Sequence, residues 1–257
     1  MKDEWKQRLE NLNQWVMEAG KEQLLRMNES IDISQKDDDI DLVTEMDIWT
    51  DEFLHDKIKN FFPNDTIFSE EKGGQRGTSE YKWIIDPIDG TTNYAHRFPM
   101  FCISVAIKHK EETVVGVIYA PMIKEHYQAV KGEGTFLNGK KVQVSSVTKM
   151  TSSLIATGFP YDRKTDSLNN LQQFNAVVLN VGGMRRTGSA ALDLCQVAAG
   201  RFEAYWEYKI NPWDFEAGLL LIQEAGGKVY KRQLEKGYLV IAGNPYIFSE
   251  LRQLIKE

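Results

Sequence analysis

Cysteine is scarce in this chain. Cys102 and Cys195 are the only two in 257 residues, far apart and each in an apolar setting. That excludes a disulfide framework and a thiolate metal site, and it marks both as buried free thiols. Long apolar runs are missing too. No uncharged stretch approaches the roughly 18 residues a membrane helix needs. The opening Met-Lys-Asp-Glu-Trp has no apolar signal core. A soluble, cytoplasmic protein without a membrane partner is expected. There is no run of lysine and arginine, and the net charge is −6, which argues against nucleic acid as a main partner. Internal repeats, linkers and low-complexity segments are absent as well. What the chain does have is apolar content, 42% hydrophobic and 11% aromatic. That suffices for a large core, in one domain or two coupled ones.

The most informative stretch is 83–93, Trp-Ile-Ile-Asp-Pro-Ile-Asp-Gly-Thr-Thr-Asn. The run 83–85 reads as the end of a buried strand, and Pro87, lacking an N–H, is expected to break it just after Asp86. Asp86 and Asp89 are then presented at a strand end, where ligand sites of α/β sheets lie. Gly90 permits close backbone approach, and Thr91 and Thr92 offer hydroxyls and N–H groups to an anion. Hard oxygen ligands beside an anion nest point to divalent-metal chemistry on a phosphate. A plain turn would explain the Gly and Pro but does not require two acids behind an apolar strand. A helix–loop–helix calcium site fails, because the twelfth position counted from Asp86 is Arg97 rather than Glu. A phosphatase with an aspartyl nucleophile in Asp-x-Asp-Gly-Thr stands as runner-up, with one residue too many between the acids.

Around this centre, the spacing of Trp5, Leu9, Leu12, Val16 and Ala19 predicts an opening amphipathic helix. Residues 28–41, Asp-rich around Lys36, read as a loop or irregular hairpin with a solvated charge run. A second helix is expected over 42–61, with Asp47 on its apolar stripe. A carboxylate there is costly unless paired or liganded. Thr44-x-x-Asp47 also matches a capping box, and the two readings stand level. Residues 69–80 read as a flexible loop carrying Glu70, for which the local reading favours a solvated side chain over a ligand. Strands are expected at 101–107, 113–119 and 126–130, and Asn138-Gly139 marks a hairpin before 142–144. Helices followed by this run of strands suggest helices packed on a largely antiparallel sheet. The second half reads as a strand at 153–157, a helix at 190–199 opened by Gly188-Ser189, and a strand at 202–206 followed by Glu207. Asp214 is placed as the N-cap of a helix at 215–225. Strands at 229–231 and 238–242 and a last helix complete it.

These pieces together resemble the inositol monophosphatase family of Mg²⁺-dependent, Li⁺-sensitive phosphatases, over nearly the whole chain. The resemblance rests on 83–93 with its continuation Tyr-Ala-His-Arg-Phe-Pro, on Asp41-Leu-Val-Thr-Glu-Met-Asp47, on Ser69-Glu-Glu71, on Gly188-Ser-Ala-Ala-Leu-Asp193, and on Trp213-Asp214. It implies an α/β fold, a layered α-β-α-β-α sandwich. Residues 1–150 would carry most metal ligands and 151–257 would complete the substrate site. By similarity, Glu70, Asp86 and the carbonyl of Ile88 would hold one Mg²⁺. Asp86, Asp89 and Asp214 would hold a second, with Glu70 helping a third, weaker ion. Asp47 and Thr91 would orient and deprotonate the attacking water. Gly90 and Thr91 would bind the phosphate through N–H groups, and Gly188, Ser189, Ala190 and Glu207 would contact the alcohol together with Asp89 and Asp214. Lys36 matches a mobile loop over the site.

The implied reaction is hydrolysis of a phosphomonoester, with inositol 1-phosphate the first substrate to consider. NADP(H) and fructose 1,6-bisphosphate stand as alternatives on the same metal core, and a phosphate-sensing or protein-binding module is the non-enzymatic one. A small phosphorylated polyol or nucleotide is the expected partner, and a homodimer is expected by resemblance alone. The segment between Glu70 and Asp86 is short for the family and carries Gly73, Gly74 and Gly77. Ser189 stands where other members often have Thr.

Overall fold

The computed structural model describes residues 2–27, 33–35 and 42–255. Two sheets organise it. The larger runs β10-β9-β8-β7-β6-β5-β3-β4. Its strands are β3 (Thr66–Ser69), β4 (Gly73–Gln75), β5 (Tyr81–Asp89), β6 (Cys102–His109), β7 (Glu112–Ala120), β8 (Glu125–Val130), β9 (Gly134–Leu137) and β10 (Lys140–Val142). Only the β3–β5 pairing is parallel. The smaller sheet runs β12-β11-β13-β15-β14. It uses β11 (Leu154–Thr157), β12 (Gly183–Arg185), β13 (Ala204–Ile210), β14 (Lys228–Gln233) and β15 (Tyr238–Gly243). A short antiparallel pair, β1 (Ile33–Gln35) and β2 (Leu42–Thr44), stands apart.

The helices are α1 (Lys2–Arg26), α2 (Glu45–Phe61), α3 (Thr91–Ala95), α4 (Leu171–Val178), α5 (Ala190–Ala198), α6 (Pro212–Glu224) and α7 (Ile247–Leu254). Strand alternation sorts the layers. On β6, Ile103, Val105 and Ile107 face a core shared with Leu12, Trp15 and Val16 of α1 and Leu54 and Ile58 of α2. Cys102 and Ala106 point the other way, into a core with α5 and α6. That middle core also takes Tyr205 of β13 and Val240 and Ala242 of β15. On the far side, Ala204, Trp206, Leu239 and Ile241 pack against Val177 of α4 and Ile247, Phe248 and Leu251 of α7. The side-chain period of two thus yields an α-β-α-β-α sandwich. α1 is fastened to its sheet by a buried pair. Arg8 meets Asp65 through Nε (2.9 Å) and Nη2 (3.0 Å), with its guanidinium 3.6 Å from the centre of the Tyr81 ring. Trp83 Nε1 and Ser79 Oγ also donate to Asp65.

Several boundaries differ from those read in the sequence. Residues 42–44 form a strand rather than the first turn of α2, because Thr44 caps the helix from extended backbone (φ −110°, ψ 163°). The 69–80 segment is not all loop, since β4 folds back on β3. β5 continues through Pro87 to Asp89. α4, unmarked in the sequence reading, is a short helix entered from Asn170 at φ +70°. The Asn138-Gly139 hairpin is present: both residues have positive φ (48° and 77°), and Leu137 pairs with Lys140 across them. No described helix is long and apolar enough to cross a membrane.

Candidate active site

The site starts from an irregularity in β5. Asp86 pairs with Ser104 and Asp89 with Cys102, so three steps along β5 match two along β6. Residues three apart on a regular strand face opposite sides of the sheet. One extra residue in a bulge turns the second carboxylate to the side of the first. Pro87 suits the bulge because it has no N–H to place in the ladder; its carbonyl accepts from Gln23 Nε2 at 3.1 Å. The third acid comes from α6. Asn211 is the N-cap and Pro212 opens the helix, so Asp214 is the third helical residue rather than the cap the sequence suggested. Its Oδ2 accepts from Asn211 N at 2.7 Å. Asp86, Asp89 and Asp214 each present an oxygen within 4.8 Å of the others.

These carboxylates are short of water and of counter-charge. Asp86 is 2% exposed and Asp89 8%, and no described Lys or Arg pairs with any of the three. Burial, reinforced by Glu70 and the neighbouring aspartates, pushes Asp86 and Asp214 well above the usual carboxylate range. Burial also raises Asp89, but only to about 6, because donors oppose it. Ser189 Oγ (2.5 Å) and the N–H groups of Ala191 (2.7 Å) and Ala190 (3.3 Å) all converge on Asp89. Ser189 is at the same time the N-cap of α5, so the start of that helix reaches across from the second half to grip this carboxylate. Glu70 follows β3 and lines the same cleft, outside the tight group of three, and its charge bears on Asp86 and Asp214. Buried, crowded, hard oxygen donors of one sign fit a divalent cation.

Asp47 closes the capping box that the sequence offered, and it also pairs with Thr91. Its Oδ2 accepts from Thr44 N (2.8 Å) and Thr44 Oγ1 (2.6 Å), closing the capping box of α2. Its Oδ1 lies 3.0 Å from Thr91 Oγ1. Burial raises its pKa to about 6 against these hydrogen bonds. Thr91 Oγ1 is also 3.0 Å from the carbonyl of Ile88. A hydroxyl has one proton, so when Asp47 is ionised and takes it, the Ile88 carbonyl keeps its lone pairs for another partner.

The cleft continues toward the second sheet. Gly90 starts α3 at φ +96°, with no side chain capping the helix. A Cβ there would sit 2.9 Å from Met100 O, so the turn admits only glycine. Gly188, Ser189 and Ala190 form the facing wall. Glu207 closes the far end, its carboxylate accepting from Tyr205 Oη at 2.5 Å, and burial raises its pKa to about 7. A Cβ on Gly158 would collide with that carboxylate. Further lining groups went unnoticed in the sequence. Asp193 is buried with Thr187 Oγ1 at 2.8 Å, and Lys209 Nζ is held by Asp162 (2.9 Å) and Asp166 (2.7 Å). The exposed Arg186 and residues 158–161 complete the lining. Asp193 was recoverable, since four residues after the Ser189 cap a helix returns to the same face; nothing local marks Arg186 or Lys209. Lys36 lies outside the described residues.

A profile of the inositol monophosphatase family matches residues 4–255. The chain belongs to this family. Its relatives include the Nus factor SuhB of Pseudomonas aeruginosa, 40% identical over 88% of this chain and 86% of that protein. The inositol monophosphatase of Dictyostelium discoideum is 40% identical over 85% and 84% of the two chains. Among solved structures, inositol monophosphatase from Anabaena superposes with a TM-score of 0.88 at 34% identity, covering 98% of this chain and 96% of the other.

Proposed function

We propose that the chain is a divalent-metal-dependent phosphomonoesterase acting on a small phosphorylated polyol, with inositol 1-phosphate the first candidate. The observation that carries this reading is the convergence of Asp86, Asp89 and Asp214 within 4.8 Å beside the Asp47–Thr91 pair. Glu70, Asp86 and the Ile88 carbonyl would hold one Mg²⁺; Asp86, Asp89 and Asp214 a second; Glu70 would help with a third. Bound there, Mg²⁺ supplies hydroxide near neutral pH and charge stabilisation for the departing alkoxide. Asp47, through Thr91, orients the attacking water and takes its proton, a role suited to a carboxylate with a pKa of about 6. The N–H groups of Gly90 and Thr91 receive the phosphoryl oxygens. Glu207 accepts from a hydroxyl of the alcohol, and Ala190 and Gly188 shape the wall beside it. Water attacks directly, so no aspartyl phosphate forms. The division into residues 1–150 and 151–257 belongs to the same reading, with ligands from the first part and alcohol contacts from the second, as does a homodimer.

NADP(H) and fructose 1,6-bisphosphate suit the same metal core. The bacterial relatives named Nus factor favour a second reading, a binding role alongside or instead of catalysis. The test is phosphate release from inositol 1-phosphate, fructose 1,6-bisphosphate and NADP⁺ with Mg²⁺, and with Mg²⁺ plus Li⁺. Mg²⁺-dependent, Li⁺-inhibited release that Asp86→Asn nearly abolishes is the expected result. Turnover that is indifferent to Mg²⁺, or a trapped phospho-aspartate, would overturn the mechanism. No release at all would leave the binding role.

A further inference from the structure

Between β11 and α4 runs a segment with neither helix nor strand, residues 158–170. Its two ends lie close together. Asn170 is buried and left-handed (φ +70°). Its Nδ2 donates to Gly158 O (2.6 Å) and lies 2.8 Å from Thr157 Oγ1, and its Oδ1 accepts from Trp206 Nε1 (2.7 Å). The segment is thus a compact Ω-type loop rooted on β11 and β13. It lays Phe159, Pro160 and Tyr161 along the cleft beside Glu207. The middle of the loop is tied down by Lys209. Its Nζ meets Asp162 Oδ1 at 2.9 Å and Oδ2 at 3.1 Å, and Asp166 Oδ2 at 2.7 Å. Lys236 also approaches Asp162, at 3.5 Å, but its side chain is 69% exposed and such a pair holds little. The Lys209 side chain is 8% exposed, so its charge depends on the two aspartates. Its backbone is left-handed (φ +62°), in the bulge where β13 steps from Glu207 to Ile210 against β15. That conformation is costly for a residue with a Cβ. Strain kept at this point, just beyond Glu207, points to a functional constraint there.

We propose that Lys209 is a positioning residue that latches the 158–170 loop, so that residues 159–161 stand as a fixed wall for the alcohol half of the substrate beside Glu207. The role of the wall rests on the phosphomonoesterase reading above; the latch does not. Lys209 touches no reacting atom. It keeps in order a segment that the substrate would otherwise have to order at each binding event, and such ordering costs affinity. Its effect therefore grows with the part of the alcohol that reaches the wall. It vanishes for an ester whose alcohol stops short of residues 159–161. Charge-assisted hydrogen bonds to two carboxylates suit this task, because they are strong and fix the loop at two points of its backbone.

Two readouts on the whole protein test this. The first is KM for inositol 1-phosphate and for methyl phosphate, with Mg²⁺, in the double variant Asp162→Ala/Asp166→Ala, which frees the loop without altering the residues that line the cleft. KM for inositol 1-phosphate should rise about tenfold with kcat within about twofold, while kcat/KM for methyl phosphate stays within about twofold. Lys209→Met should reproduce the split between the two esters, and Lys209→Arg, which keeps the charge, should return most of the affinity. The second readout is limited digestion with trypsin after Arg163 and Lys164, with the fragments identified by mass spectrometry. Cleavage there should quicken about tenfold or more in the double variant, with cuts elsewhere unchanged, because it follows the population of the opened loop. An equal rise in KM for both esters overturns the proposal and makes the aspartates general stabilisers of the fold. Faster cleavage with KM unchanged overturns the wall. A raised KM with cleavage unchanged overturns the latch and leaves Lys209 only its charge. If the wild type hydrolyses neither ester, the phosphomonoesterase reading fails by itself. The trypsin result then decides the latch alone, and unchanged cleavage overturns it.

Discussion

Ionising a carboxylate in water is easy at neutral pH, and the same group in a closed wall resists it. Glu207 is such a group: it has one hydroxyl donor, from Tyr205, and burial raises its pKa to about 7. The unfolded chain ionises it near the ordinary value of about 4.3. The folded state therefore holds the proton more tightly between these values. The stability this confers is fully present below the unfolded pKa and lost as pH rises through about 7. Glu207→Gln keeps an acceptor for Tyr205 and removes the titration. The variant should gain in melting temperature relative to the wild type as pH goes from 5 to 8, measured without substrate. A difference constant with pH would mean that Glu207 is solvated. At this scale much was legible. Asp86, Asp89, Gly90 and Thr91 stand out as residue types in a revealing order; Glu207 entered by resemblance alone, and Arg186 does not stand out, because an arginine looks alike on any surface until its neighbours are known.

At the scale of elements, periodicity located most helices and strands, and it failed where geometry is cooperative. A proline after an apolar run reads as a stop. In β5 it is accommodated by a bulge whose register depends on β6, which no local pattern reveals. The Thr44-x-x-Asp47 box, by contrast, was visible because both partners lie within one turn. The attachment of α1 is another case of pairing across distance. Arg8 and Asp65 are 57 residues apart, and both are buried. Removing one partner leaves the other charge without compensation, a loss of roughly 3–5 kcal/mol for buried pairs. Asp65→Ala should lose about that much in urea denaturation while Mg²⁺ affinity, measured on the folded variant, stays within about twofold. A loss below about 1 kcal/mol would class the pair with surface ion pairs.

At the scale of the molecule, α5 and α6 share their core with both sheets, so neither sheet has a complete interior without them. The cleft is built the same way, from β5 and α3 on one side and β13, α5 and α6 on the other. Calorimetry should show one cooperative transition, shifted upward by Mg²⁺ according to its occupancy, because an ion that binds only the native state adds to its stability. Two transitions would instead divide the chain near residue 150. The sequence carried the composition of these layers but not their contacts. That the first turn of α5 would hold Asp89 from a hundred residues away follows from packing, which a one-dimensional pattern does not encode.

The absence of a side chain at residue 158 has a consequence for descent. Any other amino acid there meets the Glu207 carboxylate, so a step at that wall moves the very group that closes the end of the cleft. Position 186 faces solvent and carries no such veto. Descent therefore meets a coupled pair at 158 and 207, where one replacement calls for another, and an uncoupled position at 186.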